Sequence, residues 1–171
     1  MIQVLFWLFA GVAVASAILC ITRRSPVASA LWLINTLFAI AALFVILDAQ
    51  FIAFLQVLVY AGAVMVLFLF VIMLLNLGRP GRSDIKGPAG WLLALVGGGL
   101  LLVQMRTLRF AIPPENVRLP PGTMARVQAD QGVVAAVANP LFQDYFVPFE
   151  LTSILLLAAI VGAVVLAKRK L

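Results

Sequence analysis

The chain is a succession of long apolar runs separated by short polar punctuation. Ile2 to Ile21 is interrupted only by Gln3 and the small polar Ser16, and Val27 to Leu47 has Asn35 as its only strongly polar side chain. Phe51 to Leu77 is the longest run, and Ala89 to Leu108 carries Gln104 and Arg106 near its end. Pro148 to Ala167 holds Glu150, Thr152 and Ser153 in its first turns. A hydrocarbon core about 30 Å thick needs roughly 20 apolar residues in a helix rising about 1.5 Å each. All five runs meet that length. Lipid offers no partner to a bare backbone group, so each run is predicted to be a continuous helix. None of the runs shows the period-two alternation of a membrane β-barrel. The expected fold is therefore all-α and polytopic. It is one integral membrane domain over residues 1–171, with five transmembrane helices at about 2–21, 27–47, 51–77, 89–108 and 148–167.

The connections fit that pattern. Thr22 to Pro26 is a short basic turn, and Asp48-Ala49-Gln50 is a minimal link that makes spans two and three an antiparallel hairpin. Gly78 to Pro88 is rich in glycine and proline, which forbids helix continuation. Arg109 to Val147 is the longest linker, with Pro113-Pro114 and Pro120-Pro121 marking extended or turn structure. Within it, Ala125 to Ala138 reads as one short interfacial helix with Val127, Val134 and Val137 on a partly apolar face.

Charge orients the spans. An odd number of them places the two termini on opposite sides. Arg23, Arg24, Arg79, Arg82, Lys86, Lys168, Arg169 and Lys170 fall on one side, and Arg106, Arg109, Arg118 and Arg126 on the other. The side richer in lysine and arginine is cytoplasmic. The N-terminus is expected outside and the C-terminus inside, with the long linker outside. Ala15-Ser16-Ala17 resembles a signal-peptide cleavage site, but such signals carry their positive charge before the apolar run, and here the arginines follow it. A retained first span is the expectation.

Composition narrows the chemistry. Hydrophobic residues make up 65% of the chain and charged ones 11%, and the mean hydropathy is +1.19. A water-soluble globule carries about a quarter charged residues. Histidine is absent and Cys20 is the single cysteine. Disulfide frameworks, thiolate zinc sites, iron–sulfur ligation and c-type haem attachment are thereby excluded. The net charge of +6 sits at the ends of apolar runs, which points to membrane orientation and away from nucleic acid. No catalytic, cofactor-binding or metal-binding constellation is expected.

Ionisable groups inside a bilayer are costly and default to functional candidates. No carboxylate or lysine lies mid-span. Asp48 closes span two, where it either terminates the helix or joins a polar path. Glu150 stands in the first turns of span five, where the helix dipole favours its charge. Span three differs from the others: Gln56 and Tyr60 stand four apart and share a face, followed by Ala61-Gly62-Ala63. Small residues there permit either close helix packing or a local π-turn, a rare form that clusters at functional sites. Residue physics leaves the two readings open.

The string from Val59 through Tyr60-Ala61-Gly62-Ala63-Val64-Met65-Val66 to Met73-Leu74-Leu75-Asn76-Leu77 resembles the subunit J family of bacterial NADH:quinone oxidoreductase (respiratory complex I), relative of mitochondrial NADH dehydrogenase subunit 6. The resemblance extends upstream through Ser25-Pro26-Val27 and Leu31-Trp32-Leu33-Ile34, and downstream to Glu150-Leu151 and Leu155-Leu156-Leu157-Ala158. It implies a cofactor-free membrane-arm subunit of the bacterial inner membrane, beside the quinone-site chain and the antiporter-like chains. FMN, iron–sulfur clusters and quinone would belong to other subunits. It further implies a π-bulge over Tyr60, Ala61, Gly62, Ala63, Val64, Met65 and Val66, whose conversion to regular helix gates a water path. Relatives often carry glutamate four residues before the tyrosine; here the residue is Gln56, which puts direct protonation of this face in doubt.

Two other classes compete. A self-contained small transporter exchanging protons needs a mid-span carboxylate. A membrane-embedded enzyme needs a base beside Ser16, Ser29 or Ser153. The sequence supplies neither.

Overall fold

The computed structural model describes residues 1–75, 88–110, 120 and 122–168. Among these the chain is all-helical. Helix α1 is Ile2–Thr22, α2 is Pro26–Ile46 and α3 is Gln50–Leu74. Helix α4 is Pro88–Phe110, α5 Thr123–Gln131, α6 Ala135–Gln143 and α7 Phe146–Ala167. Helices α1, α2, α3 and α7 are each long and apolar enough to cross a bilayer, and α4 carries the shorter apolar stretch Leu92–Leu108. The chain is a polytopic membrane protein. Of the loop expected over 78–88, Pro88 instead opens α4, and the rest, with the charges Arg79, Arg82, Asp84, Lys86, Glu115, Arg118, Arg169 and Lys170, prolines Pro113, Pro114 and Pro121, and Asn76 and Leu77, lies outside the described residues.

Two compact units are present, Met1–Thr123 and Met124–Leu171. In the first, α2 is the central helix, packed on one side by α1 and on the other by α3. Proline opens α2 at its first turn, and the Ser25 hydroxyl caps it by accepting from the Ala28 N–H at 3.5 Å. The side chains buried along these contacts are nearly all small: Ser16 on α1, Ala30, Thr36, Ala39 and Ala41 on α2, and Ala53, Ala61 and Met65 on α3. Hydrocarbon gives no hydrophobic drive between helices, so close backbone approach and dispersion must hold them, and small residues permit that approach. Large side chains instead face outward along every span, as lipid and partner helices require. The described side chains from Leu92 to Leu108 on α4 are exposed all round.

In the second unit α6 packs on α7, with Phe142 edge-on to Phe149 at 5.1 Å between ring centroids. The single helix expected over 125–138 is two helices. Gly132 adopts a φ of +87° directly after α5 and ends it there, as a left-handed residue does at a helix C-terminus. Its N–H still bonds the Gln128 carbonyl at 2.9 Å. Helix α7 begins at Phe146, two residues before the expected Pro148.

Candidate functional site

The middle of α3 departs from α-helical form. Gln56–Val64 is a π-helix of nine residues. The Gln56 N–H is shared between the Ala53 and Ile52 carbonyls, three and four residues back, whereas the Met65 N–H is shared between the Gly62 and Tyr60 carbonyls, three and five back. The π-helix therefore holds Gln56, Tyr60, Ala61, Gly62, Ala63 and Val64, while Met65 and Val66 belong to the α-helical turn that follows.

Burial shows what the wider turn does. A regular α-helix that buries Ala53 returns to the same face seven and eleven residues later, at Tyr60 and Val64. Those two side chains are 55% and 49% exposed; Ala61 and Met65 are buried in their place, at 7% and 5%. The π-turn acts as one inserted residue and rotates the second half of α3 by about 100° relative to the first. Its physical cause lies in α2, whose buried side chains are alanines and one threonine. The close approach these permit admits Ala61 and excludes the Tyr60 ring.

Gly62 lies inside the wide turn. A Cβ built there would stand 3.2 Å from the Val57 carbonyl oxygen, tighter than an ordinary van der Waals contact. Gln56 is half-buried at the start of the π-helix. By contrast, a Cβ at Gly97, Gly98, Gly99 or Gly162 would meet nothing within 4 Å. Among the described residues those glycines make no close helix contact.

The two acidic candidates are placed separately. Asp48 has a φ of 58°, in the left-handed region. Its N–H bonds the Val45 carbonyl at 3.1 Å and the Ala49 N–H bonds the Phe44 carbonyl at 2.9 Å. That pair of bonds is the Schellman termination of α2. Glu150 belongs to the other unit, exposed and about one turn into α7, where its carbonyl accepts the Ser153 hydroxyl at 2.7 Å.

One polar contact was visible in the sequence only as two separate interruptions. Asn35 donates from Nδ2 to the Ser16 hydroxyl at 2.6 Å, joining α2 to α1. Counting back from the Thr22–Pro26 turn at about 1.5 Å per residue puts the two roughly one helical pitch apart in depth, so the count alone does not pair them; the tertiary packing does.

The chain matches the family model described as NADH-ubiquinone/plastoquinone oxidoreductase chain 6 over residues 16–166. It is 36% identical over 168 residues to NADH-quinone oxidoreductase subunit J of Rhodobacter capsulatus, covering 96% of this chain and 80% of the relative. Subunit J of Pseudomonas aeruginosa is 38% identical over 162 residues, covering 92% of each. NAD(P)H-quinone oxidoreductase chain 6 of Leptolyngbya boryana is 36% identical over 169 residues, covering 96% of this chain and 79% of the relative. An apolar helical chain matched from Ser16 to Leu166 belongs to the NADH-ubiquinone/plastoquinone oxidoreductase chain 6 family.

Proposed function

We propose that the chain works as a coupling subunit in the membrane arm of a proton-translocating NADH:quinone oxidoreductase, with α3 as a switchable element. The observation that carries the switch is the register of α3: Ala61 and Met65 are buried where a regular helix would bury Tyr60 and Val64. Two helical registers of one sequence differ by one residue and about 100° of rotation. Such a bistable element can move a polar path open or shut at a distance. Tyr60 and Gln56 are the polar side chains that the rotation would carry. The redox groups (FMN, iron–sulfur clusters and quinone) belong to other subunits, and the quinone-site and antiporter-like chains of a bacterial inner membrane are the neighbours. The five-span topology with N-terminus outside rests on the basic-residue count and on the apolar stretch Leu92–Leu108 of α4.

The test is Gly62→Val in the whole complex. A branched side chain crowds the Val57 carbonyl and biases α3 against the π form. Proton pumping and quinone reductase activity per assembled complex should fall, and NADH oxidation by artificial acceptors should be spared. Full activity per complex with fewer complexes on native gels makes Gly62 a packing residue only.

A further inference from the structure

Asn35 stands near the middle of α2 and, although bonded to Ser16, is exposed. An amide side chain offers two donors and a carbonyl oxygen with two lone pairs. One donor is used; among the described residues the oxygen and the second N–H have no partner. At this depth the lipid hydrocarbon can satisfy neither, and leaving them bare in such a medium is costly.

The surroundings of Asn35 have the shape of a docking face. Leu31 and Phe38, four residues before and three after, are 56% and 50% exposed and flank it on the same stripe of α2. Toward the α2–α3 turn, Phe38 and Val45 form the α2 wall of an apolar crevice of about 330 Å³, closed on the α3 side by Ala53 and Phe54. A smooth apolar stripe alone would suit lipid. A stripe with an unsatisfied amide at its centre and a side-chain-sized crevice beside it suits a helix.

We infer that the Leu31–Asn35–Phe38 face of α2 docks a transmembrane helix of another subunit, which presents a hydrogen-bonding side chain to Asn35 and an apolar side chain to the crevice. The inference rests on the subunit reading above and adds the place and chemistry of one contact. Ser16 orients the amide from behind, so Asn35 ties α1 and the docked helix to the same point.

The experiment uses the assembled complex in native membranes. Benzoylphenylalanine placed at Phe38, which leaves Asn35 intact, should give on irradiation one discrete adduct with another subunit. Adducts with lipid alone, or with a second copy of this chain, overturn the inference. Asn35→Leu should lower retention of the chain through detergent washing roughly three- to tenfold, the range of interhelical hydrogen bonds in membranes. Ser16→Ala, which removes only the internal bond, should leave retention within twofold. Equal loss in both variants, or in neither, means that Asn35 acts only within this chain and overturns the proposal. If the unaltered chain does not co-purify with the complex at all, it is the subunit reading that fails.

Discussion

Asn35 on α2 and Ser16 on α1 meet through a hydrogen bond of 2.6 Å, and the Ser16 side chain is 2% exposed. The pair ties the two helices midway along their length, apart from the contacts at their turn, where the Ser29 hydroxyl donates to the Arg23 carbonyl at 3.4 Å and the Arg23 guanidinium lies 5.9 Å from the Trp32 ring centroid. Ser16→Ala removes the bond without adding volume and should cost about 0.5–1.5 kcal/mol. Ser16→Leu forces the helices apart and should cost about 1–3 kcal/mol, the range for overpacking. Thermal unfolding of the chain within the complex in detergent would rank unaltered above alanine above leucine. Equal stability of all three would mean that α1 and α2 are held elsewhere.

The shifted register of α3 predicts an order of tolerance. Ala61 is buried and Val64 half-exposed, so Ala61→Leu should reduce assembly through overpacking, by about 1–3 kcal/mol. Val64→Leu, a surface change, should stay within about 0.5 kcal/mol. A regular α-helix would bury position 64 and reverse the order. Assembled yield of the two variants distinguishes the registers directly.

The positions of α1, α2, α3 and α7 were legible because length and hydropathy are local: Pro26 and Ser25 announce the start of α2, and Asp48 its end. The family was legible in the Tyr60–Ala63 string. What residue physics left open was the form of α3, because Ala61-Gly62-Ala63 suits both a packing face and a wide turn. Deciding between them takes the alanines of α2, which reach α3 only through the tertiary fold. The break at Gly132 was missed for a related reason. The valines on either side keep an apolar pattern running across it, and only the backbone conformation, φ +87°, reveals the stop.

Orientation is open to direct labelling. The basic count puts Lys168 in the cytoplasm and Arg126 outside. With Cys20 replaced by alanine, a membrane-impermeant thiol reagent applied to intact cells should label Arg126→Cys and spare Lys168→Cys until the membrane is opened. The reverse pattern inverts the topology.

Asp48 offers the sharpest separation of a backbone role from a charge role. Its φ of 58° belongs to the left-handed region, which costs most side chains roughly 1–2 kcal/mol and which glycine occupies freely. Asp48→Gly should therefore preserve or slightly raise stability, and Asp48→Val should lose about 1–2 kcal/mol or more. Asp48→Asn keeps the shape and the tolerance for this conformation but removes the charge. If Asp48 only terminates α2, the asparagine and glycine variants should assemble and pump like the unaltered complex. If it belongs to a polar path, both should assemble normally while pumping falls per complex. Measuring proton pumping against assembled complex for all three variants decides between the two, because the valine variant reports the backbone cost and the asparagine variant the charge.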